Sequence, residues 1–369
     1  MLVERTAAGP QVAIPVSPGK PEPRYVWSLP FDLTLLTAPL LVGVMAAVSA
    51  AMVPALFPVL LAADVWLLGY HHIVATYTRL AFDRVNFSQH KYLAVHLLLV
   101  VLAMTVGVLL WLGAWVIATT FLYLQWFHYM RQGYGIARMY FRTTPRGQEP
   151  GARDMVTDAV MYLVPIYGIA YRSSTLGSMF LGFPVKPLVL PEAAITALGV
   201  AAALAVAFWW IRTGRDAMRG EGDTYYAGFV LSHIVIFLVG YVLISDANAG
   251  WLGVNIWHNF QYVMVVWMVN AKRYSGGIDP RAKFISTISQ PHKVVTYFAC
   301  CLAISSIVYF NLQQVTAVLL GNGIVAMLGV YMGINFHHYV VDAVIWKRRR
   351  MPAQTQASGL RPQASVVQP

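Results

Sequence analysis

Ten apolar runs, each close to the length that crosses a bilayer, constrain this chain more than any other feature. A transmembrane helix needs about 20 predominantly apolar residues at 1.5 Å each. Charged residues make up only 11% of the chain, against about 25% in a typical soluble domain. The sequence therefore excludes a water-soluble globule and predicts an all-α, polytopic membrane bundle of about ten transmembrane helices. The runs cover approximately residues 34–53, 55–77, 92–113, 115–137, 155–172, 191–211, 225–245, 251–271, 294–311 and 322–346.

The distribution of Lys and Arg predicts the orientation of this bundle. Cytoplasmic loops of membrane proteins carry an excess of these residues. With ten spans and an inner N-terminus, only Arg172 and Lys186 of the 26 basic residues fall in outer loops. We therefore predict a multi-pass protein of the bacterial inner membrane with both termini cytoplasmic. The net charge of +11 then reflects topology and anionic lipid headgroups, and a nucleic-acid partner is not indicated.

Two polar tails flank the predicted bundle. Residues 1–33 are rich in Pro, and residues 348–369 begin with a basic cluster and continue with Gln, Ser and Pro. Such compositions are typical of disordered segments. The sequence thus predicts a disordered cytoplasmic N-tail over 1–33, a transmembrane bundle over 34–347 and a disordered, basic and polar cytoplasmic C-tail over 348–369.

Histidines at similar depth in several predicted helices are the main candidates for chemistry. Counted at 1.5 Å per residue from the basic inner ends, histidines from five helices fall in the cytoplasmic half of the membrane. Ionisable groups inside a membrane are costly and usually functional, and neutral imidazole is the commonest metal ligand. In an adjacent pair the side chains lie about 100° apart, so we expect one member of each pair to bind a metal while its neighbour supports it or faces a second ion. The predicted ligands are His71, His72, His96, His128, His233, His337 and His338.

Carboxylates and further histidines are predicted to support this site. Asp342 follows His338 by four residues and therefore shares its helix face, although pairing with Lys347 or Arg348 is an equally good explanation of its position. Asp64 lies deep within an apolar run. A carboxylate can bind a metal or fix the tautomer of a ligating imidazole. No residue receives a catalytic role, and the expected supporting residues or additional ligands are Asp342, Asp64, His90 and His258.

The donor types narrow the choice of metal. Imidazole and carboxylate donors without thiolates favour iron, manganese, zinc or copper(II). The only cysteines, Cys300 and Cys301, are adjacent and form no CxxC pair, which argues against an iron–sulfur or thiolate zinc site. We expect iron, mononuclear or dinuclear, with zinc, manganese or copper as alternatives.

The histidine set resembles the multi-histidine sites of membrane non-haem iron oxygenases. It lacks the HxxxH and HxxHH boxes of the desaturase and hydroxylase group, and is closer in architecture to bacterial Brp/Blh-like carotenoid oxygenases, in which single histidines from several helices surround one iron. The resemblance implies a metal-dependent oxidoreductase of the oxygenase, hydroxylase or desaturase type that takes a lipid, fatty acyl or isoprenoid substrate from the bilayer. It rests on His71, His72, His90, His96, His128, His233, His337 and His338.

Other functions stay open at this point. The chain contains no Gly-rich dinucleotide fingerprint, so a reductive oxygenase would need a separate electron donor. A proton- or metal-coupled transporter would need carboxylates near the midplane and a repeat, and Asp64 is the only carboxylate expected there. His258 and Asn259 provide the intramembrane His and Asn that a lipid acyltransferase needs. Haem or copper binding, as in respiratory oxidases, is less favoured because no span contains an HxH arrangement.

Overall fold

A computed structural model describes residues 24–321 and 328–345. Within these residues the protein is all-helical apart from one two-stranded hairpin, Met179–Phe180 with Phe183–Pro184. Two short helices, Pro145–Gln148 and Lys283–Ile288, lie in loops. The long helices are α1 Leu29–Met52, α2 Pro54–Leu80, α3 Arg84–Leu112, α4 Ala114–Phe141, α5 Met155–Thr175, α6 Glu192–Met218, α7 Thr224–Leu243, α8 Ala247–Arg273, α9 Val294–Leu320 and α10 Gly333–Ile345.

Six of the described helices are long and apolar enough to cross a membrane: α1, α2, α3, α6, α7 and α9. The chain therefore has the character of a membrane protein, as its apolar runs predict. Helices α4 and α8 are long but carry more polar side chains on their buried faces. The last predicted run, 322–346, is described only over 328–345. The count of ten spans and the orientation of the termini stay predictions.

Helix α8 is the centre of the bundle, and most of its residues are buried. It packs closely against α1 at Gly43 and Gly253. A Cβ atom at Gly43 would lie 2.6 Å from the Gly253 carbonyl oxygen, and one at Gly253 would lie 2.7 Å from the Gly43 oxygen. Small residues allow such close approach of two backbones in membrane helices. The polar residues of α8 are thereby held against α2 and α4.

Single π-helical turns interrupt several helices. Val65–Gly69 lies within α2, just before His72, and Leu328–Met332 leads into α10, which carries His338. Tyr92–His96 and Val239–Leu243 are further examples. A π-turn holds one residue more than an α-turn, so it rotates the following side chains by about 100°, and such turns are frequent at functional sites.

The described chain begins inside the predicted N-tail. Helix α1 starts at Leu29, a few residues before the predicted boundary at 33. The buried carboxylate of Asp32 accepts hydrogen bonds from the backbone N–H groups of Val26, Trp27 and Ser28, and this fixes the start of the helix. Residues 1–23 and the predicted C-tail lie outside the described residues.

Candidate metal centre

Three imidazole rings from different helices meet in the interior. His72 lies on α2, His128 on α4 and His338 on α10. The Nε2 atom of His338 is 2.7 Å from Nε2 of His72 and 3.2 Å from Nε2 of His128. Asp342, one turn after His338, places Oδ2 3.6 Å from His338 Nε2 and 3.9 Å from His128 Nε2. One donor atom from each of these buried residues lies within 4.8 Å of the others, and we call the four residues the His3Asp cluster.

Hydrogen-bond accounting indicates which nitrogen of His338 carries a proton. Tyr262 donates its only hydroxyl hydrogen to Asp342 Oδ1, at 2.6 Å. With that hydrogen on Asp342, Thr76 directs its own hydroxyl hydrogen to the Tyr262 oxygen at 2.6 Å or to Asp342 Oδ1 at 3.4 Å. Thr76 Oγ1 is also 2.9 Å from His338 Nδ1 and can therefore only accept there. In a neutral imidazole the other nitrogen is then unprotonated, and the Nε2 lone pair of His338 points into the cluster.

This donor set fits a metal ion. The Nε2 lone pair of His338 faces two other nitrogens and a carboxylate oxygen, and a single hydrogen bond cannot satisfy all four groups. Metal–nitrogen distances of about 2.0–2.1 Å in a tetrahedron place ligand atoms about 3.3 Å apart. The contacts to His338 Nε2 and the contact of His128 with Asp342 are 2.7–3.9 Å, and all four donor atoms lie within 4.8 Å of one another. The His3Asp cluster can therefore hold a metal ion, and its donors do not specify which.

Two neighbours hold the ligands in place. The Tyr262 hydroxyl binds Asp342 Oδ1 and leaves Oδ2 directed at the histidines, while the Tyr262 ring stacks on the His72 ring with centroids 4.0 Å apart. Thr76 fixes His338 through its Nδ1. Such partners orient metal ligands and set their tautomers. His72 Nδ1, in contrast, is buried with no hydrogen-bond partner among the described residues.

His258, predicted as a supporting residue, lies beside the His3Asp cluster but outside it. Its ring centroid is 4.8 Å from that of His72, 4.9 Å from that of His128 and 4.4 Å from that of Tyr129. Gln132 donates a hydrogen bond to the His258 carbonyl oxygen at 2.8 Å, which links α4 to α8 at this point.

Asp64, the other predicted carboxylate, belongs to an adjoining amide network. The side-chain amides of Asn255 and Asn259 both donate to it, the second at 3.3 Å. Asn255 in turn accepts from the hydroxyl of Tyr129 and, at 3.4 Å, from Gln125. Asp64 is thus buried and hydrogen-bonded, and it does not contribute an atom to the His3Asp cluster.

A small cavity of about 10 Å³ lies between the cluster and this network. It has room for about one water molecule. His72 and His338 form one side of the cavity. Its remaining wall is largely polar and includes Gln125, Tyr129, Asn255, His258, Asn259 and Tyr339. The cluster therefore adjoins a polar space rather than a purely apolar one.

In both adjacent histidine pairs the second member lies in the cluster and the first points elsewhere. His71 packs edge-on against Phe298, and its buried Nε2 has no partner within the described part of the chain. His337 has both nitrogens engaged, Nδ1 with the Tyr77 hydroxyl at 2.6 Å and Nε2 with the Leu93 carbonyl at 2.7 Å. The angle of about 100° between neighbouring side chains accounts for this division.

The three remaining predicted histidines also lie outside the His3Asp cluster. His233 is buried on α7, where its Nε2 is 3.2 Å from the Met161 carbonyl oxygen. His96 is exposed and stacks on Tyr92. The Nδ1 of His90 is 3.0 Å from the Asn86 carbonyl oxygen within its own helix. Residue counting from the basic ends predicted that these histidines lie at a similar depth in the membrane, but their side chains lie on helix faces that point away from the cluster.

Sequence reasoning did not single out Tyr262, although a signal for it exists. Tyr262 follows His258 by four residues, so the two share one face of α8.

Neither the family models, the characterised proteins nor the solved structures with which the chain was compared show a match. The function must therefore be argued from the site itself.

Proposed function

We propose that this chain is a multi-pass membrane metalloenzyme, a non-haem iron oxidoreductase of the oxygenase, hydroxylase or desaturase type. Its substrate is a lipid, a fatty acyl chain or an isoprenoid taken from the bilayer. The observation that carries the proposal is the buried His3Asp cluster, in which three imidazole nitrogens and a carboxylate oxygen converge inside a bundle of membrane-type helices.

The ligand chemistry favours a redox-active metal over a structural one. Structural zinc sites are usually closed and rich in thiolates, whereas histidine and carboxylate donors with open positions are typical of non-haem iron oxygenases. These four residues would hold an iron ion that could still bind a further small ligand, and a cavity lined by His72 and His338 adjoins the cluster. Zinc, manganese and copper are the alternative occupants.

The proposed arrangement in the membrane has ten spans, cytoplasmic termini and a site toward the cytoplasmic side of a bacterial inner membrane. Helices α4 and α8 have 28 and 27 residues, so each is about 40 Å long and exceeds the hydrocarbon core of about 30 Å. Several of their buried polar residues lie at the His3Asp cluster and the amide network rather than toward lipid, which supports counting both as spans. The bias of Lys and Arg supports the orientation.

The proposal also implies partners. Membrane lipids surround the bundle, and an apolar substrate reaches the site from them. Reducing equivalents, where the reaction needs them, come from a separate electron donor, because the sequence contains no dinucleotide fingerprint. The proposed function involves no nucleic-acid partner.

The test is the metal content and spectrum of the purified protein in detergent. Wild-type protein should contain close to one iron per chain, or two if the site is dinuclear. His338→Ala should lose most of it, while His337→Ala is a matched control because it changes the adjacent buried histidine of the same helix. Retention of the metal in His338→Ala, or no metal in any preparation that is folded and supplied with iron, contradicts the proposal.

A second candidate function is proton- or metal-coupled transport. The observation that favours it is Asp64, a buried carboxylate that two amides hold beside the cavity of the His3Asp cluster. Intramembrane carboxylates of this kind often lie on ion pathways. The acyltransferase alternative is not supported by a comparable arrangement, because the Asn259 amide is engaged with Asp64 rather than with His258.

A further inference from the structure

Tyr339 lies beside the His3Asp cluster and has a hydroxyl group whose hydrogen-bonding capacity is unused among the described residues. Tyr339 follows His338 on α10, and its ring centroid is 4.5 Å from the His128 ring and 5.7 Å from the His338 ring. Its hydroxyl oxygen is buried and makes no hydrogen bond to any described residue. Tyr339 also lines the cavity beside the His3Asp cluster.

Two other unpartnered polar atoms belong to residues of the same cavity wall. His72 Nδ1 and His258 Nδ1 are buried without a hydrogen-bond partner in the described part of the protein. The amides of Asn255 and Asn259 are already engaged with Asp64. Buried polar groups are rarely left unpaired because their lost hydration is not recovered. Three residues that line one small cavity thus carry unpartnered polar atoms, which favours a polar molecule as its occupant.

We propose that this cavity is the binding site of a small exogenous ligand, a water molecule or a small anion such as azide, to which Tyr339 donates a hydrogen bond. The inference rests on the proposed function, because the ligand would occupy the open side of a metal held by the His3Asp cluster. The volume of about 10 Å³ matches about one water molecule, and azide, with three atoms, replaces that water as the surrounding side chains move apart. Tyr339 is the natural donor, since a phenol at neutral pH has a hydroxyl hydrogen to give.

Azide binding to the iron(III)-loaded protein tests this directly. The absorption change on titration gives the dissociation constant without any turnover. Tyr339→Phe removes only the hydroxyl and should weaken azide binding by about tenfold, the effect of one hydrogen bond. Tyr309→Phe is the matched control: its hydroxyl is also buried and unpartnered among the described residues, but Tyr309 does not line the cavity. Azide should bind to that variant as it does to wild type.

A second measurement shows whether the hydrogen bond exists. The azide stretching frequency in wild-type protein should shift between H2O and D2O, because the phenol proton exchanges, and the shift should be smaller in Tyr339→Phe. Equal affinity and an equal shift in Tyr339→Phe overturn the inference while the metal proposal stands. Loss of iron from Tyr339→Phe also overturns it, since the residue would then serve to hold the metal. Failure of wild-type protein to bind any metal overturns both proposals.

Discussion

The Nε2 atoms of His72 and His338 lie 2.7 Å apart although 266 positions separate the two residues in the chain. Helices α2 and α10 bring them together, and His128 on α4 completes the set of nitrogens. The hydrogen bonds of Thr76 and Tyr262 leave His338 Nε2 with a lone pair directed at its neighbours. The proposed metal site depends on whether an ion binds among these nitrogens.

Metal binding should separate these two nitrogens. Ligand nitrogens at about 2.0–2.1 Å from one ion lie about 3 Å or more from each other in tetrahedral or octahedral geometry. We therefore expect a structure of the metal-loaded protein to show His72 Nε2 and His338 Nε2 at about 3 Å or more, with Asp342 closer to the nitrogens than now. An ion bound elsewhere, with the 2.7 Å contact intact, would show that the contact is a plain hydrogen bond.

Tyr262→Phe should weaken metal binding without abolishing it. The substitution removes the hydroxyl that orients Asp342 but keeps the ring that stacks on His72. Loss of such a supporting hydrogen bond typically lowers metal affinity by about 10–100-fold, which competition with a chelator measures. Tyr297→Phe is the matched control, because its buried hydroxyl bonds to Asn270 and Thr78, away from the cluster. Equal metal affinity in wild type and Tyr262→Phe would contradict the assigned role.

The contact between α1 and α8 predicts a stability effect. Gly253→Ala places a Cβ atom 2.7 Å from the Gly43 carbonyl oxygen and 2.7 Å from the Ala47 Cβ. Both helix backbones must shift, and such overpacking costs about 1–3 kcal/mol. Thermal unfolding in detergent should show a lower midpoint for this variant. Gly107→Ala on α3 serves as the control because its new methyl group meets nothing within 4 Å, so its midpoint should not fall.

The sequence predicts the helices and the depth of their residues, because a bilayer constrains hydrophobicity and length along the membrane normal. The apolar runs predict helices, and counting residues from the basic ends placed His72, His128 and His338 among the candidates. Rotation about the helix axis is not readable in this way. The π-turns Val65–Gly69 and Leu328–Met332 each rotate the side chains that follow, so no periodicity count shows which histidine of a pair faces inward.

The contacts between helices could not be predicted from the sequence either. Tyr262 reaches Asp342 across 80 residues, and Thr76 reaches His338 across 262. Neither contact follows from spacing along one helix, because each depends on how α2, α8 and α10 pack. The start of α1 at Leu29 likewise depends on Asp32 and its backbone partners, which a proline-rich composition does not reveal.

The ion pair between Asp154 and Arg212 should give a pH-dependent stability. Asp154 lies just before α5 and binds Arg212 of α6 at 2.6 Å. Burial, the largest single effect, raises the pKa of the Asp154 carboxyl, but the hydrogen bonds from Arg212 and Thr157 and the charge of Arg212 together outweigh it, so the folded-state pKa lies below its usual value. The pair therefore stabilises the fold above about pH 4 and loses its effect as pH falls through the lowered pKa.

Asp154→Asn isolates this contribution. It keeps an acceptor for the first turn of α5 but removes the charge, and we expect a loss of about 2 kcal/mol at pH 7. The difference from wild type should shrink as the pH is lowered below 4. Glu221→Gln, at an exposed carboxylate, should match wild type throughout. A difference that does not change with pH would mean that the charge of Asp154 is not what stabilises the contact.

Asp64→Asn separates the oxidoreductase from the transporter. Asp64 contributes no atom to the His3Asp cluster, and its oxygens accept from Asn255 and Asn259. In the oxidoreductase, the variant should keep at least half of its metal, and turnover of an apolar substrate should depend mainly on His128 and His338. In a transporter, the titratable carboxylate carries the ion or proton, so flux into proteoliposomes should stop in Asp64→Asn.

The paired measurement is metal content in detergent and ion uptake by vesicles, made on Asp64→Asn and on His128→Ala. We expect His128→Ala to lose its metal, because the substitution removes a ligand of the ion. We also expect vesicles that contain the wild-type protein to take up no more ion than empty vesicles. Transport would be established if wild-type vesicles took up the ion, Asp64→Asn abolished this uptake and His128→Ala retained it. In that case the amide-held carboxylate, and not the His3Asp cluster, would be the functional centre of the bundle.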